Sequence, residues 1–130
     1  MSRSDSQTMI TRNKIAYRNY FVDNEYEAGI ILVKTEVESL RDGRVELNDG
    51  YAKFDEGELF LRETRIPVPP DTAPDAGHDP ERRRKLLLRR KQLNRLETKV
   101  EQSGYTLIPL ALYFKEEHVK VTLGLCKGKK

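Results

Sequence analysis

The sequence predicts a mainly antiparallel β fold: an OB-like β-barrel with two or three flanking helices. The chain has 130 residues, enough for one small core and too few for two. It contains about five or six short runs rich in β-forming residues and two stretches with helical signals. Because short antiparallel strands in so small a chain favour a closed barrel, we expect one domain over residues 13–130. Residues 1–12 show no periodicity and are expected to form a flexible N-terminus.

The first half of the chain contains three predicted elements. Residues 20–33 are rich in β-forming residues, which indicates one long bent strand or a hairpin, with the bend at Gly29. Residues 35–40 have the spacing of a capping box between Thr35 and Glu38, which predicts a short helix. Residues 51–62 place Asp55, Glu56 and Gly57 between two β-prone runs and predict a hairpin.

The second half begins with a proline-rich segment. Residues 66–81 hold five of the six prolines, which predicts an exposed loop without regular structure. Asp79 and Pro80 are typical of a helix start, so we expect a basic helix from about residue 81 to Gln102. A last hairpin should turn at residues 115–117, and Pro109 should mark a bulge or an edge in its first strand.

Composition and motifs indicate the cellular compartment and argue against membrane proteins and enzymes. The single cysteine, Cys126, excludes an internal disulfide and suits a reducing cytoplasm. No apolar run approaches the roughly 18 residues needed to span a bilayer, so no membrane association is expected. His78 and His118 lie far apart in sequence and no nucleophile motif is present, so we expect no enzyme activity, no metal and no cofactor.

Charge is distributed unevenly along the chain. Residues 1–80 hold 10 basic and 16 acidic residues, whereas residues 81–130 hold 14 basic and 5 acidic ones. A segregated positive region is typical of proteins that bind a polyanion, because each cation near a phosphate releases condensed counterions. The alternative is a solvated helix face that happens to be rich in arginine.

The predicted basic helix carries more leucines than one core-facing stripe can hold. Leu86, Leu93, Leu96 and Val100 share one face at helical spacing, which leaves Leu87 and Leu88 elsewhere on the helix. An exposed leucine beside Arg82, Arg83 and Lys85 would contact an unstacked base while the cations neutralise phosphates. The alternative is that the proline-rich loop covers this leucine.

Two further groups are candidates for RNA contact. Glu27 could accept hydrogen bonds from a base edge or a 2′-hydroxyl, with Tyr20 nearby as a stacking residue. Solvation of Glu27 and a structural role for Tyr20 remain open. The end of the chain, Lys127, Gly128, Lys129 and Lys130, could bind phosphate or could be a frayed basic end.

Several sequence blocks together resemble the SmpB (SsrA-binding protein) family. These blocks are Asn13 and Lys14 ahead of Tyr20 and Phe21, then YEAG, TEVESLR, HDP, RRRKLLL, GYT, LYFK and GLCKGKK, in that order. The resemblance implies an RNA-binding adaptor without enzyme activity. Such an adaptor binds the tRNA-like domain of tmRNA and delivers it to stalled ribosomes for trans-translation. The implied partners are tmRNA, the ribosome and, indirectly through the aminoacylated tmRNA, elongation factor Tu.

The resemblance also implies a set of RNA-contacting residues: Asn13, Tyr20, Glu27, Leu87, Lys127, Gly128, Lys129 and Lys130. We expect them to form one shared surface. The family continues into a basic tail that enters the messenger channel, and we expect that role to lie outside residues 1–130. A general single-stranded nucleic-acid or rRNA-binding OB-like module is the alternative function.

Overall fold

The computed structural model describes residues 7–129, which form seven strands and three helices. In chain order the elements are β1 (Gln7–Arg12), α1 (Ala16–Asn19), β2 (Tyr20–Ile30), α2 (Lys34–Arg41), β3 (Tyr51–Asp55), β4 (Glu58–Arg62), β5 (Arg84–Leu87), α3 (Arg90–Ser103), β6 (Thr106–Lys115) and β7 (His118–Gly128). The predicted class, mainly antiparallel β with up to three helices, is confirmed. Among the described residues, no helix is both long enough and apolar enough to cross a membrane.

Within residues 7–129 all strand pairings are antiparallel, and six of the seven strands form a closed circuit of pairings that begins and ends at β6. The order is β1-β6-β3-β4-β5-β2-β7, and β7 also pairs with β6. β6 is shared because β7 occupies one of its edges, while β1 and β3 occupy successive parts of the other. The side chains that face inward from these strands form the main core, which α3 covers with Leu93 and Leu96.

The N-terminal prediction was wrong for part of its range. Residues Gln7–Arg12 pair with β6 as strand β1 instead of forming a loose terminus, and residues 1–6 lie outside the described residues. The alternation of Met9, Ile10 and Thr11 is too short to stand out as a strand in the sequence. The strand forms because β6 offers an unpaired edge beyond the end of β3.

β2 is one long strand, but its irregularity is not where the sequence predicted it. The register shifts between Val22 and Asn24, whereas Gly29 pairs in register with Lys120 on one side and Leu87 on the other. A glycine can mark a bend or a close approach of another chain segment. Here the approach is that of Leu87, whose Cβ would lie 3.4 Å from a Cβ added at Gly29.

Both predicted hairpins are confirmed. β3 and β4 join through Glu56 and Gly57, and β6 and β7 join through Glu116 and Glu117, all four of which have positive φ. Positive φ at both central residues gives a two-residue turn the twist that matches its strands. The predicted bulge at Pro109 is confirmed as a register shift between Pro109 and Ala111.

The basic helix begins at Arg90 and not near residue 81. Residues Arg84–Leu87 form β5, which pairs with β4 and β2 and therefore alternates with the period of a strand. Leu86 enters the core from this strand, Leu87 points outward, and Val100 is only partly buried at the core edge. Three consecutive leucines that conflict on a helix are thus accommodated by a strand followed by a short connection.

The start of α2 also differs from the prediction. The Glu36 carboxylate accepts the Val33 backbone N–H at 2.9 Å, so the helix is capped two residues earlier than the spacing of Thr35 and Glu38 indicated. Thr35 contacts the ring of His78 instead, with its hydroxyl 2.6 Å from Nδ1. That contact ties the proline-rich loop, which is irregular as predicted, to α2.

A second, smaller core lies on the other face of the β6–β7 hairpin. Ala16 of α1 packs there against Ile108, Leu110 and Cys126. Burial raises the pKa of the Cys126 thiol to about 11, and the nearby carboxylates of Asp23 and Glu25 contribute to the increase. Cys126 is therefore a packing residue with little thiolate at neutral pH.

Candidate nucleic-acid interface

Leu87 lies at the exposed end of a row of paired residues that crosses four neighbouring strands. Register pairs connect Tyr113 of β6 to Lys120 of β7, Lys120 to Gly29 of β2, and Gly29 to Leu87 of β5. Leu87 is 47% exposed, since the glycine beside it has no side chain to cover it. The alternative in which the proline-rich loop covers Leu87 is therefore wrong.

Glu27 lies two residues before Gly29 on β2, on the same side of the strand and opposite Thr122. It accepts a hydrogen bond from the Tyr113 hydroxyl, and the Lys115 amine lies 3.4 Å from its carboxylate. The Tyr113 hydrogen bond lowers the pKa of Glu27, and Lys115 contributes further, so the carboxylate is ionised at neutral pH. Burial and the neighbouring Glu27 raise the pKa of Tyr113 to about 12.

We name these residues, Gly29, Glu27, Leu87, Tyr113 and Lys120, the sheet surface. It combines an exposed apolar side chain, an ordered hydrogen-bond acceptor and a cation within a few strands. Such a surface can pack on an unstacked base and accept hydrogen bonds from a base edge or a 2′-hydroxyl.

Replacing Tyr113 with Phe should raise the pKa of Glu27, because the hydroxyl that stabilises its ionised form is lost. NMR titration of the Glu27 carboxylate would measure the shift. Tyr17→Phe is the matched control, since the Tyr17 hydroxyl lies 3.0 Å from Glu25 on the same strand and should leave Glu27 unchanged. An unaltered Glu27 titration in Tyr113→Phe would show that Tyr113 does not order this acceptor.

The cations predicted beside Leu87 all have protein partners. Arg82 reaches both carboxylate oxygens of Glu36, at 2.9 and 2.7 Å. Arg83 lies 2.7 Å from Asp55 and stacks over the Phe60 ring at 3.9 Å, while the Lys85 amine lies 3.6 Å from Glu58. These pairs reduce the positive field that the sequence indicated, and RNA contact by Arg82, Arg83 and Lys85 stays a prediction.

Asn13 has a structural role in the protein. It is 4% exposed, its amide donates to the Pro109 carbonyl at 3.0 Å, and its side-chain oxygen accepts the Ile15 N–H at 3.2 Å. Tyr20 is half-buried against the second core. Asn13 and Tyr20 thus hold the α1 segment against the sheet, and a direct contact with RNA stays a prediction for both.

The C-terminal end of β7 carries a second group of cations beside aromatic rings. The Lys127 amine lies 4.6 Å from the centroid of the Tyr105 ring, and the Lys129 amine lies 4.9 Å from that of Phe21. Lys129 also donates from its backbone N–H to the Asn19 carbonyl at 2.9 Å and from its amine to the Tyr17 carbonyl at 2.8 Å. The end is therefore anchored as far as Lys129, and Lys130 lies outside the described residues.

Phe21 is the residue that sequence reasoning missed. It is 64% exposed, more than the other large exposed hydrophobic side chains of residues 7–129, and it is paired across β2 and β7 with Lys127. Aromatic residues are common in β-strands, so nothing in the local sequence pattern marked Phe21 as a candidate for RNA contact. We name Phe21, Tyr105, Lys127, Gly128 and Lys129 the terminal surface.

Pleating places the side chains of Lys127 and Thr122 on opposite sides of β7. Leu123 and Leu125 of β7 point into the main core, so Lys127 continues on their side, while Thr122 beside Glu27 points to the other side. Phe21 pairs with Lys127 beyond the bulge in β2, so its side chain lies on the same side as that of Lys127. Lys129 also contacts Tyr17, whose hydroxyl bonds to Glu25 on the Glu27 side of β2, so a single shared surface stays a prediction.

Comparison with known proteins gives a consistent result. The sequence model of the SmpB protein family matches residues 10–130. The chain belongs to the SmpB family. It is 47% identical over 125 residues to the SsrA-binding protein of Geotalea uraniireducens (strain Rf4), covering 96% of this chain and 82% of that protein. It is also 47% identical over 122 residues to the SsrA-binding protein of Geobacillus kaustophilus (strain HTA426), covering 94% and 78%.

A solved structure has the same fold as this SmpB family member. The chain is 46% identical to a chain of the structure named "tmRNA-SmpB: a journey to the center of the bacterial ribosome", with a TM-score of 0.75. The match covers 92% of this chain and 84% of that one.

Within residues 7–129, no cluster of three or more His, Cys, Asp or Glu side chains is arranged to hold a metal ion.

Proposed function

We propose that this protein is an RNA-binding adaptor that holds the tRNA-like domain of tmRNA and delivers it to stalled ribosomes for trans-translation. Membership of the SmpB family and the likeness to a chain solved as tmRNA-SmpB support the proposal. The observation that carries it is the exposure of Leu87 beside Gly29, which lies two residues from the hydrogen-bonded carboxylate of Glu27 on β2. An apolar group and an acceptor held on a rigid sheet suit the unstacked bases of an RNA corner.

The circuit of strand pairings supports a more specific architecture. From β6 the pairings run through β3, β4, β5, β2 and β7 back to β6, as in a small closed barrel. We include an OB-like barrel in the proposal, since OB folds commonly present one face of the sheet to nucleic acid. β1 is an addition to the outside of this circuit.

The remaining parts of the proposal follow from the role of the adaptor. Its partners are tmRNA and the ribosome directly, and elongation factor Tu through the aminoacylated tmRNA. The work is done where ribosomes translate, in the cytoplasm. No step of it is catalytic.

A general single-stranded RNA or rRNA binder is the second candidate. The terminal surface favours it, because an exposed Phe21 beside Lys127 and Lys129 can stack any base while the amines contact phosphates. In this function the recognised feature would be an unpaired strand and not the folded corner of a tRNA-like domain.

A competition assay should distinguish the two candidates. A labelled tRNA-like fragment of tmRNA is bound to the protein and displaced by the same fragment unlabelled, by ordinary tRNA, or by an unstructured oligonucleotide of equal length. The adaptor proposal predicts that the fragment competes better than the oligonucleotide by at least about tenfold, or about 1.4 kcal/mol. Equal competition by the oligonucleotide would support the second candidate, and the absence of binding at about 0.15 M salt would contradict both.

A further inference from the structure

Helix α3 carries a basic face that neither proposed surface uses. Lys91, Arg95 and Lys99 are exposed and spaced four residues apart, so at about 100° per residue they lie within roughly 80° of the helix circumference. Each step along the helix is about 6 Å. This spacing is comparable with that of successive phosphates along one strand of RNA.

The acidic residues of α3 lie on another side of the helix. Glu97 and Glu101 are displaced from Lys91 by about 240° and 280°, counted at 100° per residue. Leu93 and Leu96 face the core between the two charged sides. None of the ion pairs within residues 7–129 involves Lys91, Arg95 or Lys99, in contrast to the paired cations of residues 82–85.

The ring of Tyr105 joins this face to the end of β7. The Lys99 amine lies 5.7 Å from the ring centroid and the Lys127 amine lies 4.6 Å from it. The Tyr105 hydroxyl donates to the Asp23 carboxylate at 2.6 Å, which fixes the ring from its other end. Lys91, Arg95, Lys99, Tyr105 and Lys127 thus form one continuous line, which we name the α3 track.

We propose that the α3 track binds the phosphate backbone of a second RNA segment, independently of the sheet surface. The chemistry of the two surfaces differs. The sheet surface combines leucine with a carboxylate, whereas the track consists of cations around one aromatic ring. Contacts of this kind position a protein on RNA without reading its sequence. A duplex, which shows its backbone more than its base edges, is the form of RNA that the track fits.

The test uses the full chain and a perfect RNA duplex of about 16 base pairs, a length that small RNA-binding domains can span. Protein already saturated with the tRNA-like fragment is titrated with labelled duplex. We expect a ternary complex. The triple variant Lys91→Gln, Arg95→Gln and Lys99→Gln should bind the duplex about tenfold more weakly at low salt, with a salt slope smaller by roughly two to three, since each lost phosphate contact removes about 0.9. Binding of the tRNA-like fragment should change less than twofold.

The control removes three charges elsewhere. Arg12, Arg44 and Lys53 are exposed and lie outside both surfaces and the track, so Arg12→Gln, Arg44→Gln and Lys53→Gln together test for net charge alone. An equal loss in this control, no duplex binding by the unaltered protein, or no effect of the α3 variant would each overturn the proposal. An equal loss of duplex and tRNA-like fragment in the α3 variant would also overturn it, since the two surfaces would then act as one.

Discussion

Replacing Glu36 with Ala is expected to lower the free energy of unfolding by about 3–5 kcal/mol, because it leaves a buried charge without its partner. Arg84 and Glu36 are both 0% exposed, and Arg84 Nε lies 2.8 Å from the Glu36 carboxylate. Arg84 also donates to the carbonyls of Thr64 and Pro80, at 2.6 and 3.0 Å, so it cannot turn toward solvent without losing both. Urea unfolding followed by circular dichroism would measure the change.

Asp55→Ala is the matched control, since it also removes an arginine partner. The pair between Arg83 and Asp55 is about half exposed at both residues, so its loss should cost less than about 1 kcal/mol. Similar losses in the two variants would contradict the role assigned to the buried network. Glu36→Gln, which keeps the shape of the side chain, serves if Glu36→Ala does not fold.

The contribution of Glu36 should also depend on pH. Burial raises the pKa of Glu36, but the hydrogen bonds from Arg82, the Val33 amide and Arg84 outweigh it and hold the pKa below the ordinary value of 4.5. A carboxyl whose pKa is lowered on folding stabilises the native state above its unfolded pKa, and this stabilisation is lost as the pH falls through the folded pKa. The difference in stability between the native protein and Glu36→Gln should therefore be constant at neutral pH and shrink below about pH 4.5.

Replacing Leu87 with Ala should weaken binding of the tRNA-like domain of tmRNA by about 1–3 kcal/mol, or roughly 5- to 150-fold. The side chain is half exposed on the sheet surface, so the same change should alter protein stability by less than about 0.5 kcal/mol. Fluorescence anisotropy with labelled RNA, alongside urea unfolding, would separate the two effects. Val33→Ala is the matched control, because Val33 is 44% exposed and lies at the start of α2, outside the strands that carry the sheet surface.

Glu27→Gln distinguishes two roles for the carboxylate. If Glu27 accepts hydrogen bonds from the RNA, the variant should bind the tRNA-like domain more weakly and unrelated RNA about as before. If the carboxylate only repels phosphates, the variant should bind every RNA more tightly, most visibly at low salt. Equal weakening on all RNAs by Leu87→Ala and Glu27→Gln would contradict a specific contact at the sheet surface.

Much of this fold is encoded in local sequence patterns. Alternation along residues 118–125 predicted the face of β7 that enters the core, and the short polar segments at residues 55–57 and 115–117 predicted both hairpin turns. The basic helix was placed correctly from Arg90 onward, but its start was wrong because capping signals at residues 79–80 also suit a turn before a strand. The circuit of the sheet requires a strand between β4 and β2, and that requirement outweighed local helix propensity.

The site shows the same division. The sequence by itself determined the class of fold, the family, and the fact that the three consecutive leucines 86–88 could not all share one core-facing stripe, since these depend on spacing between near neighbours. Only the tertiary structure decided which charges are free. Glu36 neutralises Arg82 and Arg84 from 46 and 48 positions away, and Lys129 lies over Phe21 from the other end of the chain. Such partners meet because distant strands pair in register, and no local period in the sequence carries that information.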